Sequence, residues 1–150
     1  MASELKQRIH EDVTASMRAK DKPRLAALRL VTAAIKQVEV DSREELDDPG
    51  VLGVLQKMLK QRRDSLQQYT DAGRQDLADQ ESYEIRVIEA YMPEAIPEAE
   101  LAALVDAAIA EAGATTMRDM GRVMGLLKPR VQGRADMGAV SGAVKQKLAG

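Results

Sequence analysis

The chain has 150 residues, with 22 Lys plus Arg against 24 Asp plus Glu and a formal net charge of -2. That length suits one ordinary domain or two small subdomains, and a hydrophobic content of 45% excludes an intrinsically disordered chain. With no Cys and a single histidine, His10, the composition excludes disulfides, thiolate metal sites, a cysteine nucleophile and a two-histidine metal centre.

Phe and Trp are absent, so the core must be built from Leu, Ile, Val, Ala and Met. Apolar residues recur at spacings of three and four almost throughout, without the alternation of a half-buried strand, which predicts an all-α fold. In the first helix Leu5, Ile9, Val13 and Met17 form one stripe behind an N-cap at Ser3. Asp21-Lys22-Pro23 ends it and starts a second helix that buries Leu25, Leu28, Val31, Ile35 and Val38 and stops near Val40. The acid-rich stretch from Asp41 to Asp48 reads as a solvated loop, and Asp48-Pro49 as the cap and first turn of a third helix. The stripe of that helix is Val51, Leu55, Met58, Leu66 and Tyr69, with Arg62 laying methylenes on the core while its guanidinium reaches water. Ala72-Gly73 closes it, and a fourth helix from Gln75 to Met92 buries Leu77, Ile85, Ile88 and Met92.

Met92-Pro93 and Ile96-Pro97 bracket a segment that cannot be regular helix, because each proline disfavours helical geometry in the residue before it. This places a boundary between an N-terminal subdomain of about four helices, residues 1–92, and a three-helix C-terminal subdomain, residues 93–150. The C-terminal helices are expected from Glu98 to Ala112, from a cap at Thr116 to about Lys128, and from a cap at Asp136 with Val140, Val144 and Leu148 inward. Gly121 and Gly125, four apart, would allow a neighbouring helix to approach closely, and Met117, Met120 and Met124 read as core filler.

Charge is unevenly placed in the C-terminal part. Residues 93–114 carry Glu94, Glu98, Glu100, Asp106 and Glu111 with no base, whereas residues 115–150 carry Arg118, Arg122, Lys128, Arg130, Arg134, Lys145 and Lys147 against Asp119 and Asp136. Such a basic end can attract the phosphates of a nucleic acid, and Arg134 near the start of the last helix marks a phosphate seat. The same cations can equally solubilise that face or pair with the acidic helix beside them. With three aromatic residues in all, single-strand recognition by base stacking is disfavoured, and structured RNA is the nucleic acid that remains. Two earlier basic groups, Arg18, Lys20, Lys22 and Arg24, and Lys57, Lys60, Arg62 and Arg63, read as solvated helix faces.

No nucleotide-binding Gly loop, calcium loop or di-metal helical motif is present, and no cofactor or metal ion is expected. Ser141 and Lys145 are four apart on a helix without any oxyanion hole, so the pair reads as structural. No apolar run approaches the roughly 20 residues of a membrane span, and the expectation is a soluble, cytosolic protein without membrane contact.

Lys60-Gln61-Arg62-Arg63-Asp64-Ser65, Ala72-Gly73-Arg74-Gln75-Asp76-Leu77-Ala78 and Tyr91-Met92-Pro93 together resemble the YqeY family. So do Asp119-Met120-Gly121-Arg122-Val123-Met124-Gly125, Lys128-Pro129 and Gly133-Arg134-Ala135-Asp136, and the likeness runs through nearly the whole chain. That family is similar to the C-terminal tail of the B subunit of the glutamine-dependent aspartyl/glutamyl-tRNA amidotransferase. The resemblance implies the two-part helical fold, a role near tRNA or amidotransferase subunits, and a family label of carbon-nitrogen ligase with glutamine as amido donor. The residues themselves supply no catalytic centre, so the expectation is a tRNA-binding or amidotransferase-associated module without its own active site. The alternative is an adaptor whose basic C-terminal face meets an acidic protein.

Overall fold

The computed structural model describes residues 3–149. Among them are seven α-helices and no strand: α1 (Glu4–Arg18), α2 (Lys22–Ser42), α3 (Asp48–Asp71), α4 (Gln75–Glu89), α5 (Glu98–Ala112), α6 (Met120–Val131) and α7 (Met137–Ala149). The chain divides between Met92 and Pro93 into two compact units, each with its own apolar core.

The first unit contains α1 to α4. Ile9, Leu28, Val31, Ile35, Val51, Leu55, Met58, Leu59, Ile85 and Ile88 form its core, with Tyr91 against them. Ser3 caps α1, accepting from Lys6 N at 3.0 Å, and Asp21 caps α2, accepting from Arg24 N at 3.2 Å. The cap of α3 is Asp47 rather than Asp48: its carboxylate accepts from Gly50 N at 2.9 Å. Asp48 instead reaches the start of α1, where it accepts from the Ser3 hydroxyl and from Leu5 N at 3.1 Å. One carboxylate thereby ties two helix starts together, and both starts gain from the negative charge. α2 runs two residues past the expected end at Val40, and its last carbonyls are turned off by Arg43 in the left-handed region at φ 58°. Gly73 takes the same conformation after α3 at φ 71°, where a side chain would add strain.

Two expected core positions are not core, and one expected to reach water is covered. Met17 is 53% exposed and Val38 39% exposed, because α1 and α2 present Ser16 and Ile35 inward at those levels. Arg62 does not extend to water: its Nε donates to Glu84 Oε2 at 3.1 Å, and both side chains are largely covered. Tyr91 closes the unit, its hydroxyl donating to Asp12, while the Arg8 guanidinium lies 5.0 Å over its ring. Burial, then the Asp12 carboxylate, push the Tyr91 phenol up to about 12.

The second unit contains α5 to α7 around Ile96, Val105, Ala108, Val123, Leu127, Val131, Val140 and Val144. α5 follows Pro97, an N-cap position without a side-chain bond, and is closed by Gly113 at φ 61°. A short 3-10 turn, Met117–Asp119, precedes α6, so the regular helix begins later than a cap at Thr116 implies. α6 continues through Pro129 to Val131. Leu127 and Val131 are both fully buried and four apart on one face, and their burial outweighs the single backbone bond that proline removes. Met117 is 39% exposed and is not core filler, because it lies in the 3-10 turn outside the inward face of α6.

Gly121 and Gly125 do not serve close helix packing, since a Cβ at either position would meet nothing within 4 Å. Both are exposed inside a helix, where glycine costs about 1 kcal/mol relative to alanine. Gly125→Ala is therefore expected to raise stability by about 0.5–1 kcal/mol in chemical denaturation. A loss of stability would show that the glycine is required for contact.

Candidate nucleic-acid interface

The seven cations of the second unit fall into groups with different surroundings. Arg118 lies on the 3-10 turn, Lys128 in the last turn of α6 and Lys145 on α7; all three are exposed and have no acidic partner among the described residues. Arg130 donates to Glu111 at 2.9 Å, and Lys147 lies 3.3 Å from Asp106, so α6 and α7 each pair once with the acidic α5. Arg122 pairs with Asp119, three residues earlier at the end of the 3-10 turn. The pairs of Arg130 and Lys147 are open to water on both sides, so each holds its charge weakly and an arriving phosphate can compete for the cation, whereas Asp119 is largely covered.

Asp119 is the local organiser. Its Oδ2 accepts from Thr115 N at 2.9 Å and Thr116 N at 3.2 Å. The Thr115 amide, then Arg122, then the Thr116 amide hold its carboxyl down at about 2. It therefore stays ionised well below neutral pH and keeps the turn carrying Arg118 closed. Lys128 and Arg130 sit where the carbonyl end of α6 favours positive charge, which is a folding reason for two of the cations.

Arg134, the expected phosphate seat, is engaged within the fold. Its Nε donates to Glu94 O at 3.2 Å, and its own carbonyl accepts from Ile96 N at 2.9 Å, so the residue fastens the segment before α5 to the start of α7. The amides at that start are served by Asp136, whose carboxylate accepts from Ala139 N at 3.2 Å. A carboxylate already occupies the position an anion would take.

In the first unit, Arg18, Lys20 and Lys22 are exposed, while Arg24 lies 3.7 Å from Asp12. Lys57 and Lys60 are likewise exposed, and Arg63 pairs with Glu89 at 2.9 Å. Among the described residues no three or more His, Cys, Asp or Glu side chains are grouped to hold a metal ion. Among the described residues no helix is long and apolar enough to cross a membrane.

Comparison with known proteins gives a consistent family. The chain is 37% identical over 111 residues to "Altered inheritance of mitochondria protein 41, mitochondrial" of Eremothecium gossypii, covering 71% of this chain and 60% of that protein. The protein of the same name from Pyrenophora tritici-repentis is 29% identical over 130 residues, covering 85% of this chain and 71% of the relative. That of Kluyveromyces lactis is 34% identical over 84 residues, covering 55% and 45%. The match thus spans between 45% and 71% of the length of these curated relatives. All three are named as mitochondrial, which overturns the expectation of a cytosolic protein. The physical reason for the miss is that a cysteine-free, nearly neutral helical composition fits several compartments alike. The family described as Yqey-like protein matches residues 6–148, and the chain belongs to the YqeY family.

Proposed function

We propose that this protein is a non-catalytic tRNA-binding module, associated with glutamine-dependent tRNA amidation, that contacts RNA phosphates through its C-terminal unit. The observation that carries the reading is the exposed set Arg118, Lys128 and Lys145, whose charges no acid offsets among the described residues. Arg130 and Lys147 add cations whose exposed carboxylate partners a phosphate can replace, and Arg122 adds an exposed guanidinium on the more covered Asp119. With three tyrosines as the whole aromatic content, the reading is of helical RNA by backbone and shape rather than of splayed bases.

The test is direct binding of unmodified tRNA across a salt series. Phosphate contacts give a linear fall of log affinity with log salt, with a slope of about 0.9 per neutralised phosphate on a duplex. A slope near zero would overturn the RNA reading. Arg130 and Lys147 already hold carboxylates of α5, and this favours the second reading, an acidic protein partner. Tight, salt-sensitive capture of an acidic protein together with salt-insensitive RNA binding would establish that reading instead.

The family label of amide transfer calls for a separate test. Glutamine hydrolysis needs a nucleophile beside a base and an oxyanion hole, and carboxyl activation needs a phosphate cradle. The chain has no Cys, and its one His is exposed on α1. Purified protein alone is expected to show no glutaminase activity and no transamidation of charged tRNA. Turnover that survives removal of contaminating enzyme would reverse this expectation.

A further inference from the structure

A cavity of about 480 Å³ lies between α1 and α2 in the first unit, a size within the range of about 300–1,000 Å³ usual for small-molecule sites. Helical spacing builds its walls. Arg29, Thr32, Ala33, Lys36 and Glu39 follow one face of α2, and Lys6, Ile9 and His10 follow one face of α1. The floor is apolar, with Ile9 and Ile35 almost wholly buried.

The charge at the rim is unbalanced. Glu39 is the one acid of this lining, and its charge is met: it accepts from Lys6 Nζ at 2.8 and 2.9 Å and from Leu46 N at 2.8 Å. The Lys6 hydrogen bond, then the Leu46 amide, hold its carboxyl below the usual range. The side chains of Arg29 and Lys36 have no acidic partner among the described residues, and His10 stands on the same rim. No Phe, Tyr or Trp lines the cavity, and its floor of Ile9 and Ile35 with Ala33 offers an aliphatic body a surface. A shallower depression of about 400 Å³ adjoins it at Lys36 and Glu39; Arg43, Glu44 and Glu45 line it with Val40 as the one apolar residue, so the aliphatic body belongs in the first cavity.

We infer that the α1–α2 cavity binds an amphiphilic organic anion, a carboxylate or phosphate monoester on an aliphatic chain, with its head held by His10, Arg29 and Lys36 and its body on Ile9, Ala33 and Ile35. Neither the C-terminal cations nor RNA takes part, so the site stands or falls independently of the tRNA reading.

The probes are decanoate and decyl phosphate, each below its micelle-forming concentration, with decanol as the uncharged counterpart. They are titrated into the full chain while backbone amide NMR signals are followed. Saturable shifts centred on residues 6–10 and 29–39 are expected with at least one of the anions. The double variant Arg29→Glu/Lys36→Glu should bind at least about tenfold more weakly, a change of about 1.4 kcal/mol. Arg29→Lys/Lys36→Arg should keep most of the affinity, and Ala33→Trp should abolish it by filling the cavity. These positions are exposed or half-exposed, so unchanged amide spectra outside the cavity confirm that each variant is folded. Equal binding of decanol, shifts confined to residues 93–149, or no shift with either anion would each overturn the inference.

Discussion

Arg62→Met is expected to destabilise the first unit by about 3 kcal/mol, the lower end of the range for removing one partner of a buried ion pair. Arg62 lies between two carboxylates. Glu84 accepts from its Nε at 3.1 Å, and both side chains are largely covered. Glu81 lies close by, and its Oε2 is buried without a hydrogen-bond partner among the described residues. Burial, then the charge of Glu84, raise the Glu81 carboxyl above its ordinary value, against the opposing pull of Arg62. Removing the guanidinium strands two acids in a poorly solvated place. Urea denaturation at neutral pH reads the loss; replacing Glu84 by Leu at the same time should recover much of it, because a covered pair exchanged for apolar groups costs little.

Acid reports on the same group with a definite sign. A carboxyl whose folded value is raised binds its proton more tightly in the folded state, so its contribution favours folding at low pH and is lost as pH rises through the folded value. Glu81→Gln removes that loss. The variant should melt higher than the parent at pH 7, with the gain vanishing below the ordinary value of 4.5, where both folded and unfolded states hold the proton. A variant that melts lower at pH 7 would mean that Glu81 makes a needed bond as an anion.

Much of the fold was legible because the chain repeats one signal. Spacings of three and four mark every helix, and Ser3, Asp21, Gly73 and Gly113 terminate helices by local chemistry that depends only on near neighbours. Several misreadings share a different cause: a partner distant in sequence decided them. Asp48 looked like a cap and is one, for α1 rather than for its own helix. Arg62 occupies a core position that hydrophobic periodicity can flag but not explain, because Glu84 lies 22 residues away. Pro129 fails to stop α6 because Val131 is held by tertiary burial. In the candidate interface, the basic surplus was legible by counting, whereas its division into paired and unpaired cations depends on where α5 presents Asp106 and Glu111. Arg29, Ala33 and Lys36 went unremarked, although their spacing of four and three already put two cations beside a small apolar residue on one helix face.

That division makes the charge-reversal experiment selective. Arg118→Glu/Lys128→Glu/Lys145→Glu alters exposed positions without acidic partners, so each change should move stability by no more than about 0.5 kcal/mol, with Lys128 the costliest because it favours the end of α6. If the second unit binds RNA, this triple variant should lose affinity for every tRNA alike, and its salt slope should fall by about one per altered phosphate contact. The comparison is the triple Arg122→Glu/Arg130→Glu/Lys147→Glu, whose cations already face Asp119, Glu111 and Asp106. It carries the same change in net charge but should cost less affinity, because part of each cation's field is spent on its carboxylate before RNA arrives. It should cost more stability, since each new acid meets an old one. Equal loss from the two triples would show that net charge alone governs binding, and a larger loss from the paired set would move the interface to the α5-facing side of the unit.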